Sequence, residues 1–166
     1  MDMDLKPFMP SSVCLSCEGC CRFPNSDSVW RPHAGKGERE AGPAGPDIQA
    51  SLDASGSLMT RPEGGAHACV FLKTADNTCN IYSARPFECA LYPFVLTPRG
   101  KEIEVSVHLS CPYVQDVWDS SVFEEYVAYL KSFFEREDVR DFLKDNPYLI
   151  RSYPNNDQEL ENVFII

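Results

Sequence analysis

Four of the eight cysteines lie between positions 14 and 21, in the order Cys14-x2-Cys17-x2-Cys20-Cys21, and nothing else restricts the chain so tightly. A C-x2-C loop turns two sulfurs onto one ion, so Cys14, Cys17 and Cys20 suit one metal centre. Cys21 breaks that pattern. Adjacent side chains leave the backbone in different directions and do not easily meet one metal at tetrahedral angles, so the pair predicts two metals or two irons of one cluster. Cys69, Cys79, Cys89 and Cys111 complete the set. Eight thiolates fill two closed zinc sites of four thiolates or ligate two iron–sulfur clusters. One cluster with spare thiols for redox or transfer uses them equally well.

The cellular setting decides between metal and disulfides. The opening MDMDLKPFMP is acidic where a secretory leader is basic, and no apolar run follows it that could cross a membrane. The expectation is a cytoplasmic protein without a membrane segment. In a reducing compartment thiols are kept free, which favours metal over disulfides or inert buried thiols. Soft thiolates select zinc, copper(I) or iron–sulfur clusters. A net charge of −10 with no basic cluster argues against nucleic acid as a partner. Metal ions are the expected partners, with a protein partner as a further option.

At 166 residues the chain is read as a single domain, 1–166. Its cysteine-cluster region is 11–112 and its helical C-terminal region 113–166. Within the cysteine-cluster region lies RPHAGKGEREAGPAGPD, an apolar-poor excursion at about 31–47 that reads as an exposed, flexible loop, followed by a small hairpin turning at Ala54–Gly56. No phosphate-binding or dinucleotide glycine pattern is present. Cys69-Val-Phe-Leu and Thr78-Cys-Asn-Ile-Tyr read as short strands around a turn at Thr74–Asn77. Pro86 suits the first position of a helix limited by Pro93, which places Cys89 in a first turn, where the helix dipole favours a thiolate.

Tyr92–Leu109 reads as a hairpin turning at Pro98–Lys101. On its second strand Ile103, Val105, Val107 and Leu109 alternate with polar residues, so His108 is expected to face solvent. Phe123, Val127, Leu130 and Phe134 recur at helical spacing, and Ser121 with Glu124 suggests a capping box. A second helix is expected over Glu137–Lys144, and the VFII tail suits an edge strand. The fold class is therefore α+β: a small metal-organised domain with short strands, hairpins and a C-terminal amphipathic helix pair.

Two zinc ions on eight thiolates leave about four negative charges for the protein to offset. Arg22, beside the doubled cysteine, and Arg85, four residues before Cys89, are the candidate second-shell cations. His67, in His67-Ala-Cys69, is an alternative ligand. Cys14, Cys17 and Cys20 with the distant Cys111-Pro112 partly match the bacterial ferredoxin spacing. The expected cofactor is thus an iron–sulfur cluster, four-iron–four-sulfur in type, or zinc. Structural zinc contributes about 10–16 kcal/mol in small sites, so metal binding is expected to drive folding of the N-terminal half.

The ordered set C-x2-C-x2-C-C, Cys69, Cys79-Asn-Ile-Tyr-Ser-Ala-Arg-Pro-Phe-Glu-Cys89 and Tyr92-Pro93 resembles the YkgJ-type cysteine-cluster family over roughly Cys14–Cys111. That resemblance implies a zinc- or iron-chelating domain held by these cysteines. It also implies kinship with the cysteine-rich part of flagellin lysine N-methylases, and with it a cluster-dependent enzyme. No catalytic signature accompanies that activity in the sequence. A zinc-organised protein-interaction module is the remaining alternative.

Overall fold

The computed structural model describes residues 3–17, 19–39 and 47–166. The chain forms two compact units: Met9–Ala90, and Leu91–Ile166 together with the N-terminal segment ending at Phe8. The fold is α+β, as expected.

The first unit is built from short elements. These are α1 (Ser11–Ser16), β1 (Arg22–Phe23), α2 (Lys36–Arg39), β2 (Thr60–Glu63), β3 (Ala66–Cys69), β4 (Leu72–Lys73), β5 (Thr78–Cys79) and α3 (Phe87–Leu91). β1, β3 and β2 form an antiparallel sheet with β3 in the centre, and β4 pairs with β5. β2 and β3 meet through Gly64 and Gly65, at φ +56 and +86. Two successive left-handed residues match the twist of a two-residue hairpin, which explains the Gly-Gly pair. The turn at 74–77 joins β4 to β5 as expected. The predicted hairpin around Ala54–Gly56 is reduced to isolated bridges, Leu52 to Leu58 and His33 to Ser57. Phe23, Ala34, Ile48, Leu58, Ala68, Cys69, Leu72 and Ile81 close the core.

The excursion differs from its sequence reading. Residues 40–46 lie outside the described residues. Before them, Ala34 is fully buried and Arg31–Arg39 is docked through side-chain bonds, with Lys36 and Gly37 left exposed. Arg31 meets Asp53 at 2.6 Å, and Arg39 Nε donates to the Ala34 carbonyl at 2.9 Å. The polar residues that made the stretch look like a loop are the ones that tie it down.

The second unit contains β6 (Phe94–Arg99), β7 (Glu102–His108), α4 (Pro112–Val117), α5 (Ser121–Glu135), α6 (Glu137–Asp145) and β8 (Leu160–Ile165). The hairpin, both long helices and the C-terminal edge strand follow the sequence pattern, giving the antiparallel order β6-β7-β8. Phe94, Leu130, Phe133, Phe134 and Val139 are fully buried or nearly so. Phe8 packs edge-on against Phe94, Tyr113 and Phe123, which anchors the N-terminal segment.

Two details of the second unit are corrected. Ser120, not Ser121, is the N-cap residue of α5; its hydroxyl donates to the Val117 carbonyl, and no side chain caps the helix. His108 is buried, bonded through Nδ1 to Tyr92 Oη at 2.9 Å and 3.3 Å from Glu159 through Nε2. β7 is the central strand, and its pairing with β8 shifts register between Val105 and Ser106. From Val105 onward every residue of β7 is buried, so the alternation that predicted an exposed histidine ends there.

Candidate metal centre

Local structure in the first unit explains how distant thiols are delivered. α1 carries Cys14 and ends at Cys17, whose N–H bonds back to the Val13 and Cys14 carbonyls as its own backbone turns extended. Arg22 N–H then closes a turn on the Gly19 carbonyl, with Cys20 and Cys21 at its centre. The Cys69 N–H donates to the Cys21 carbonyl at 2.9 Å, so strand pairing sets these two cysteines side by side. Cys79 lies opposite Leu72 in the β4–β5 pair, and Cys89 is the third residue of α3. Cys21, Cys79 and Cys89 pack, half-buried, against the core that contains Cys69. All eight cysteines are free thiols.

The thiols feel one another. The neighbouring thiols of Cys14 and Cys21, together with burial, hold the Cys20 proton on well above the ordinary thiol range. The Cys20 thiol in turn brings Cys14 down to about 6 against the opposing effect of burial, with help from Arg85. Cys21 is lowered by Cys20 first and then, against burial, by Arg22 and Arg85. Burial pushes Cys69 up to about 12, and neighbouring Cys21 and Cys79 add to it. Cys79 is raised by burial, with Cys21 and Cys14 contributing. Cys89 rises well above the usual range through burial, then through Cys69, Cys21, Cys79 and Glu88.

Cys21, Cys69, Cys79 and Cys89 thus gather at one small core, and Cys14 and Cys20 lie near enough to Cys21 to feel its charge. Cys20 and Cys21 share the turn at Gly19–Arg22, and Cys20 also feels Cys14. One expectation changes. At Cys89, burial outweighs the pull of a helix start only five residues long.

Cations surround the group. Arg85 stacks over the Tyr82 ring at 4.4 Å and lowers Cys14, Cys21 and Cys79. Arg22 lowers Cys21 while bonding Asn77 at 2.8 Å and meeting Glu63 at 3.4 Å. Arg61, missed in the sequence, lowers Cys69 and donates to the carbonyls of Cys69 and Leu72. Its strand was missed too, although Gly64-Gly65 was the available signal for it. Cys111 lies in the second unit, buried at the N-cap of α4. His67 Nδ1 is 3.4 Å from Thr60 Oγ1 on the neighbouring strand.

Among the described residues no three His, Cys, Asp or Glu side chains already stand as a ligand set. The donors fit zinc or an iron–sulfur cluster by their chemistry, and rotation about Cα–Cβ is what brings sulfurs together on an ion. A metal bound here must displace the protons held on Cys20, Cys69, Cys79 and Cys89, so its affinity rises with pH.

These features define a cysteine-cluster protein of the metal-chelating class. The family model described as "CxxCxxCC: Putative zinc- or iron-chelating domain" matches residues 13–112, and the chain belongs to that family. No curated protein and no solved structure matches the chain. No helix among the described residues is long and apolar enough to cross a membrane.

Proposed function

We propose that this protein holds zinc or an iron–sulfur cluster on thiolates of Cys14, Cys20, Cys21, Cys69, Cys79 and Cys89, with Cys17 and Cys111 completing the pool of eight. The supporting observation is the packing of Cys21, Cys69, Cys79 and Cys89, delivered from four separate segments, around one small core. Arg22, Arg61 and Arg85 offset the charge that deprotonation creates. The bound group supplies a cross-link between those segments and, if it is an iron–sulfur cluster, a site for one electron.

Anaerobic purification with metal and acid-labile sulfide analysis tests the reading. Bound zinc in a colourless protein, or iron and sulfide with a brown one, supports it. Replacing Cys21 or Cys89 by serine should lower the metal content. A protein carrying neither metal under reducing conditions after supplementation contradicts it.

A further inference from the structure

Two half-buried glutamates join the docked excursion to the helix that bears Cys89. Glu38, on α2, accepts the Gly35 N–H at 2.6 Å with one oxygen and the Phe87 N–H at 2.5 Å with the other. Glu88, on α3, accepts the His33 N–H at 2.7 Å. Each segment thus places a carboxylate on the other's backbone, in a reciprocal clamp spanning 49 and 55 residues of sequence. The His33 ring extends it, with Nδ1 3.7 Å from Glu88 Oε2 and Nε2 3.1 Å from Ser57 Oγ. That row has the order of a catalytic triad, but Ser57 is only 3% exposed and closed to substrate, so it serves as a tie.

Burying a carboxylate is costly, and it is repaid here by charge-assisted bonds to N–H groups. A five-residue helix has little stability of its own, and its first N–H groups have no partner inside it. Glu38 supplies one such partner two residues before Cys89. The orientation of Cys89 therefore depends on a segment far away in sequence.

We propose that Glu38 and Glu88 are positioning residues for Cys89, locking α3 to the His33–Arg39 segment so that metal retention and docking of that segment form one coupled equilibrium. The coupling rests on the reading of Cys89 as a ligand. By linkage, metal must tighten the segment as much as the segment tightens metal.

The test uses the full-length protein with Glu38→Ala, Glu88→Ala and the near-isosteric Glu38→Gln, which keeps one acceptor. In the protein as purified, without chelator, the alanine variants should speed iodoacetamide labelling of Cys89 and tryptic cleavage after Lys36 and Arg39 about tenfold, the effect of one lost charge-assisted bond. Glu38→Gln should restore most of the protection. With zinc alone as probe, Glu38→Ala should weaken binding in chelator competition about tenfold with unchanged stoichiometry, and zinc should slow cleavage after Lys36 and Arg39 in the unmodified protein. Unchanged Cys89 labelling in the alanine variants overturns the clamp. Zinc binding that leaves cleavage unaltered overturns the coupling. Absence of any zinc binding removes the metal reading and the coupling with it, while the labelling arm still decides whether the clamp positions Cys89.

Discussion

Arg61 illustrates what a single residue does for the thiol group. Its guanidinium spans the Cys69 and Leu72 carbonyls and stands as the cation beside a thiol that burial has pushed up to about 12. Arg61→Met keeps the bulk of the side chain, removes the charge and leaves part-buried carbonyls without this donor. The expected loss is about 1–3 kcal/mol of first-unit stability, read from urea unfolding, together with slower thiol-specific labelling of Cys69. His108 makes an equally local prediction in the second unit. Burial lowers its pKa despite the opposing pull of Glu159, so the unfolded chain takes up a proton before the folded one does. Second-unit stability is complete above the ordinary histidine value of about 6.5 and falls as pH drops through it towards the lowered folded value. Trp118 fluorescence in a Trp30→Phe background should show the unfolding midpoint falling between neutral and mildly acidic pH. His108→Gln should flatten that dependence.

At the scale of elements, the β2–β3 hairpin is the piece that sets Cys69 against Cys21. Gly65 sits at φ +86, where an added side chain has room but the backbone is strained. Gly65→Ala should therefore lower first-unit stability by about 1–2 kcal/mol, with the denaturant dependence of unfolding unchanged. How far each element could be read from sequence follows from where its information lies. α5, α6, the β6–β7 hairpin and the β8 edge strand repeat apolar residues at their own period over enough residues to be legible. α1 has six residues and buries none of them, so no periodic signal marks it. The docking of Arg31–Arg39 depends on Glu38 and Glu88 finding backbone partners 49 and 55 residues away, which no local pattern encodes. His108 failed for a related reason: a register shift in a strand flanked on both sides overrode a correct alternation. For the site, residue type and spacing marked the cysteines as candidates, with Arg22 and Arg85 beside them. Which of them gather depends on a turn and a strand pairing that become visible only in three dimensions.

For the whole molecule, the two units are stabilised in different ways. Aromatic packing among Phe94, Phe123, Phe133 and Phe134 gives the second unit an ordinary apolar core. The first unit has strands of two to four residues and a small core into which thiols are packed. Its stability is expected to depend on metal, since structural zinc contributes about 10–16 kcal/mol, as much as a whole domain's net stability. The most direct measurement is amide hydrogen exchange under reducing conditions, before and after a strong chelator. The account predicts that protection is lost across Met9–Ala90 and retained in the α5, α6 and β6–β7 amides of the second unit. Unchanged protection of the β1–β3–β2 and β4–β5 strands in a metal-stripped protein would contradict it.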